Sequence, residues 1–92
     1  MAALGEYLRT ARERRGVDLD EVARVTRVRR QYLAALEDER FDLLPAAPFV
    51  RGFVIAYARY LGLPVSEALT RYQAAVAAAA AAAAPGGPAG PA

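Results

Sequence analysis

The chain has 92 residues, 12 basic and 10 acidic side chains, and a formal net charge of +2. It contains neither cysteine nor histidine, which removes disulfides, thiolate metal sites, the commonest general base and the commonest zinc ligand. One domain at most fits this length, and the composition argues against an enzyme, a metal site, a cofactor and a polyanion binder working by bulk charge.

Leu4, Leu8 and Ala11 recur at helical spacing opposite Glu6, Arg9, Arg12 and Glu13, predicting a first helix of about three turns. Arg12, Arg14 and Arg15 crowd its C-terminal end, where cations complement the helix dipole, and Gly16 supplies a left-handed cap. Met1 leads into Ala-Ala-Leu-Gly-Glu, without the basic start and apolar stretch of a secretory signal, so the expected location is the cytoplasm. Asp18 is a good N-cap and Glu21 completes a capping-box-like pair. A short second helix follows with Leu19, Val22 and Ala23 inward, broken at Thr26-Arg27. A third helix begins near Val28 or Arg29 and aligns Val28, Tyr32, Leu33 and Leu36. Glu37, Asp38 and Glu39 oppose the dipole at its end; with Asp42 they read as a solvated acidic patch.

Phe41 to Pro48 is a connection with two prolines, and Pro48 suits the first turn of the next helix. That fourth helix, Phe49 to Leu61, carries more apolar surface than one face holds. At 100° per residue from Phe49, the residues Val50, Val54, Tyr57 and Leu61 cluster at about 80–140°, a core stripe. Phe49, Ala56 and Tyr60 cluster at about 340–20°, with Phe53 between the groups. The apolar arc spans roughly 200°, twice what a surface helix needs, so a protein partner is expected over the extra face. Arg51 and Arg59 keep the outer side wet. Gly52 costs about 0.5–1 kcal/mol relative to Ala in mid-helix, which predicts a close approach by another backbone, internal or a partner's.

Gly62 stops the fourth helix and Pro64 opens a fifth, carrying Ala68, Leu69 and Tyr72. Residues 74–84 are alanine apart from Val76. Alanine is the best helix former, so this helix is expected to run on to Pro85, yet the alanine run is too short to span a bilayer. The Pro/Gly segment from Pro85 to Ala92 is expected to be a disordered tail. The expected organisation is a domain over 3–73 and an Ala/Pro/Gly-rich linker or tail over 74–92.

Ala23, Val28, Leu33 and Leu36 have the spacing of a helix-turn-helix, in which the first helix must be small where the second crosses it. With the preceding Leu8-Arg9-Thr10-Ala11-Arg12, they predict an all-α, five-helix domain resembling the Cro/phage-repressor type. Many such motifs place Gly in the turn, where this chain has Arg27. Left-handed backbone there costs ~1 kcal/mol, so another conformation is expected.

The resemblance is closer still to the cytoplasmic N-terminal domain of the RodZ family. It rests on Val22-Ala23, Thr26, Val28, Tyr32-Leu33 and Leu36-Glu37, then Leu44-Pro45, then Phe49-Val50-Arg51-Gly52-Phe53 with Tyr57-Ala58 and Leu61-Gly62-Leu63. It covers roughly residues 4–72, and the Phe-Val-Arg-Gly-Phe block is its most specific part. Pro64 departs from the pattern at the start of the fifth helix, where Asp is common. The resemblance implies a bacterial cell-shape protein whose helix-turn-helix domain binds the bacterial actin MreB. It also implies a membrane tether through a span absent from this chain, which would hold the domain at the cytoplasmic face. The family's contact aromatics fall on Phe49 and Phe53, which also fit a core role; Ala56 and Tyr60 complete the candidate partner face. A competing reading is a transcription regulator whose Arg27, Arg29, Arg30 and Gln31, at the start of the third helix, contact DNA. Against it stand Asp18, Asp20 and Glu21 at the end of the second helix that usually meets a phosphate. A third reading, a purely structural oligomerisation domain, leaves the oligomeric state open.

Overall fold

The computed structural model describes residues 3–83. Among these residues the chain is all-α: α1 Leu4–Arg14, α2 Leu19–Thr26, α3 Arg30–Asp38, a 3-10 turn Phe41–Leu43, α4 Ala47–Leu61 and α5 Val65–Ala83. No helix among them is long and apolar enough to cross a membrane. The expected tail from Pro85 to Ala92 lies outside the described residues. α5 passes position 73 without a break, and Ala75 is buried in the core.

Local chemistry sets the ends. Asp18 accepts the Glu21 N–H at 2.9 Å and starts α2. Thr26 ends it: its hydroxyl donates to the Val22 carbonyl at 2.7 Å and accepts the Val28 N–H at 3.2 Å. Arg27 then takes the left-handed conformation, φ 65° and ψ 18°, contrary to the expectation that a non-glycine residue would avoid it. The Thr26 bridge and the Arg27 N–H bond to the Ala23 carbonyl at 2.9 Å hold the turn there against the steric cost. α3 starts one residue later than expected, with Arg29 as N-cap. α4 starts earlier, at Ala47, with Pro48 in its first turn, and Gly62 ends it at φ 73°. The Pro64 carbonyl accepts from Ala68 and opens α5.

The core joins Leu4 and Leu8 of α1, Val22 of α2, Val28 before α3, Leu33 and Leu36 of α3, and Ala68 and Ala75 of α5. The α4 stripe at Val50, Val54, Tyr57 and Leu61 runs through its middle, as the wheel requires. α4 packs on every other helix, which explains an apolar arc wider than an ordinary surface helix needs.

A buried carboxylate ties three helices together. Glu37, only 5% exposed, accepts from Arg9 Nε at 3.2 Å, from Arg12 Nε at 2.7 Å and from the Tyr57 hydroxyl. The expected acidic patch therefore breaks up. Glu37 is core, because it lies one turn after Leu33 on the same buried stripe. Asp38 pairs with Arg9, Asp42 pairs with Arg40, and Glu39 accepts the Gly5 N–H at 2.9 Å. Arg12 likewise serves this network rather than only the helix dipole. Gly5 is what lets α1 lie so close, since a Cβ there would sit 1.9 Å from the Glu37 carbonyl oxygen.

Candidate docking face and basic surface

The four residues of the expected partner face do not share one environment. Phe49, in the first turn of α4, is 65% exposed and belongs to no core cluster. Phe53, one turn on, is half-buried and stacks on Tyr32 of α3 with centroids 5.3 Å apart and planes 12° from parallel. Ala56 and Tyr60 are half-buried against the core. The Arg15 guanidinium lies 5.7 Å from the Tyr60 ring centroid, a distance at which the ring's negative face attracts the cation. What the wheel drew as one surplus face is thus an open end at Phe49 and a middle closed by α3 and Arg15.

Beside Phe49 the surface continues through exposed Gly52, half-exposed Ile55 and the exposed pair Arg51 and Arg59. Gly52 does not serve an internal contact: a Cβ added there would meet nothing within 4 Å. Neither Arg51 nor Arg59 has an ion-pair partner among the described residues.

The second candidate surface gathers Arg27, Arg29, Arg30 and Gln31 at the turn before α3 and on its first residues, all exposed. Arg30 is held by Asp20 of α2, Nε to carboxylate 3.0 Å. Arg24 is likewise held by Glu21. Arg27 and Arg29 are left without an ion pair among the described residues. Exposed Val25 sits beside them, 47% accessible. One of the three arginines of this surface is therefore neutralised by an α2 carboxylate.

Sequence reasoning missed the group with the most perturbed chemistry. Burial pushes the Glu37 carboxyl up, but the hydrogen bonds from Arg12 and Tyr57 and the Arg12 charge outweigh it and hold the group below its ordinary 4.5. Burial first, and then the bond to Glu37, drives the Tyr57 phenol far above its usual 10. The signal was present: a buried tyrosine needs a partner for its hydroxyl, and Glu37 stands at the right helical spacing to supply one. The arrangement is a structural lock that joins α1, α3 and α4.

A family model described as a helix-turn-helix domain matches residues 7–68, most of the packed body and both candidate surfaces. The chain belongs to the helix-turn-helix domain family. It is 35% identical over 71 residues to the cytoskeleton protein RodZ of Streptococcus pneumoniae, covering 77% of this chain and 26% of that protein. It is 30% identical over 57 residues to the uncharacterized membrane protein YmfM of Bacillus subtilis, covering 62% of this chain and 20% of that one. The chain thus spans about a quarter or less of the length of these relatives. No solved structure matches it significantly. Within its family this is a RodZ-like helix-turn-helix domain.

Proposed function

We propose that this domain is the protein-docking module of a RodZ-like bacterial cell-shape protein, and that the N-terminal half of α4 binds the actin-like protein MreB in the cytoplasm. The observation that carries the reading is Phe49. Phe49 is the most exposed of the large hydrophobic side chains among the described residues, at 65% against 58% for Leu43 and 47% for Val25, and an aromatic ring is the type of anchor that dominates modest interfaces. The similarity to a cytoskeleton protein supports the choice of partner. Phe49 enters an apolar recess on the filament subunit, Phe53 and Ala56 form the edge of the contact, and Tyr60 stiffens the far end of the face.

The test is co-sedimentation with MreB filaments, with circular dichroism melting alongside. Phe49→Ala is expected to melt within about 2–4 °C of the wild type, since surface changes cost little, and to bind at least about tenfold more weakly. Phe53→Ala is expected to lose stability as well, because it gives up its stack on Tyr32. If Phe49→Ala binds filaments as well as the wild type, the docking reading is wrong.

The second reading is nucleic-acid binding through Arg27, Arg29, Arg30 and Gln31. The two unpaired arginines, Arg27 and Arg29, favour it; the Asp20–Arg30 pair and the α2 carboxylates oppose it. With two free cations, binding to random duplex is expected to show a log–log salt slope no steeper than about −2. A slope near −6 would transfer the function to α3.

A further inference from the structure

The described residues include four glycines, and the fold accounts for three of them. Gly16 and Gly62 hold positive φ of 69° and 73°. Gly5 leaves room for the Glu37 carbonyl. Gly52 has neither reason. It lies within the 15-residue α4 with helical backbone, and the space its Cβ would fill is open. Glycine at such a position weakens a helix, since it surrenders the most backbone freedom and packs nothing. An unforced cost at the surface points outward.

Its neighbours lie on the α4 face already described. Phe49 is one turn before it and Ala56 one turn after; Arg51 precedes it in the chain and Arg59 lies two turns on, both without an ion pair among the described residues. Of the ten other arginines, six are held by carboxylates within the fold: Glu37 holds Arg9 and Arg12, Asp38 shares Arg9, and Asp20, Glu21, Asp42 and Glu67 hold one each. The cations left over beside Gly52 call for carboxylates from outside the molecule.

We infer that Gly52 sets the contact distance of the docking face: the main chain of the protein partner lies against its bare backbone, with Arg51 and Arg59 facing carboxylates on the rim of the recess that takes Phe49. This rests on the docking reading above and adds to it the residue that sets closeness of fit and the charge of the surface it fits. A second copy of this chain is a poor occupant, because it would set arginine against arginine.

The variants are Gly52→Ala and Gly52→Leu in the full chain, each melted by circular dichroism and co-sedimented with MreB filaments. Both are expected to melt higher than the wild type, by roughly 3–6 °C, yet bind more weakly, with Gly52→Leu losing at least about tenfold and more than Gly52→Ala. Arg51→Glu is expected to weaken binding as well. A more stable domain that binds worse is not what a merely structural glycine would give. A lower melting point in Gly52→Ala means the fold needs this glycine and overturns the inference. Unchanged binding in Gly52→Leu, while Phe49→Ala loses it, also overturns the inference and leaves the docking reading intact. No filament binding by the wild type overturns both. A dimer in light scattering that Gly52→Leu dissociates would make the occupant a second copy, again against the inference.

Discussion

Arg27 and Glu39 both sit in left-handed backbone, at φ 65° and 55°, and both are residues that pay sterically for it. They differ in what the side chain returns. Arg27 is exposed, with no hydrogen bond or ion pair from its side chain among the described residues. Glu39 reaches across to the first turn of α1 and accepts the Gly5 N–H at 2.9 Å, where Ala3 offers no side-chain cap of its own. Arg27→Gly is therefore expected to stabilise the domain by about 0.5–1 kcal/mol, part of the relief being lost to the freer unfolded chain. Glu39→Gly relieves a similar strain but gives up a cap worth about 1 kcal/mol, so its net effect is expected to be near zero. Thermal melts of the two variants side by side check the contrast; equal stabilisation would mean that the Glu39 cap contributes nothing.

At the scale of elements, the helix pairs are seated by contacts whose cause lies far away in sequence. α1 lies against the end of α3 because residue 5 has no side chain. Gly5→Ala is expected to destabilise by about 3 kcal/mol, since backbone rather than a flexible side chain occupies the space. Hydrogen exchange would then rise first in α1. A Gly5→Ala domain as stable as the wild type would show that α1 can slide on α3. Most helices themselves were legible along the chain: the Asp18 cap, the stop at Gly62, the opening at Pro64 and the core stripe of α4 are local signals. The Arg27 conformation was not, because its cost is offset by Thr26 bonding in both directions. Nor was the split of the α4 aromatic arc, because a wheel records angle but not which neighbour covers it.

For the whole molecule, the Glu37 network couples α1, α3 and α4 and links stability to pH. The folded state holds the Glu37 carboxyl below its ordinary 4.5, so on acidification the unfolded chain takes up the proton first. The stability this group contributes is complete above that ordinary value and is lost as pH falls through the folded-state one. Melting temperatures between pH 7 and pH 3 are expected to drop for the wild type and to fall less for Glu37→Gln. Glu37→Ala strands Arg12 and the Tyr57 hydroxyl and is expected to cost about 3–5 kcal/mol at neutral pH. A wild type equally stable at both ends of that range would dismiss the linkage. The sequence by itself determined the all-α class, the helix-turn-helix spacing and the core stripe of α4, because caps, breakers and hydrophobic periodicity act over a turn or two of chain. Only the tertiary structure decided that Arg9, Arg12 and Tyr57 converge on Glu37, that Phe53 leans on Tyr32, that Arg30 is claimed by Asp20, and that Phe49 and Gly52 remain uncovered. Those facts depend on which distant side chain arrives at a given surface, and a local pattern carries no record of that.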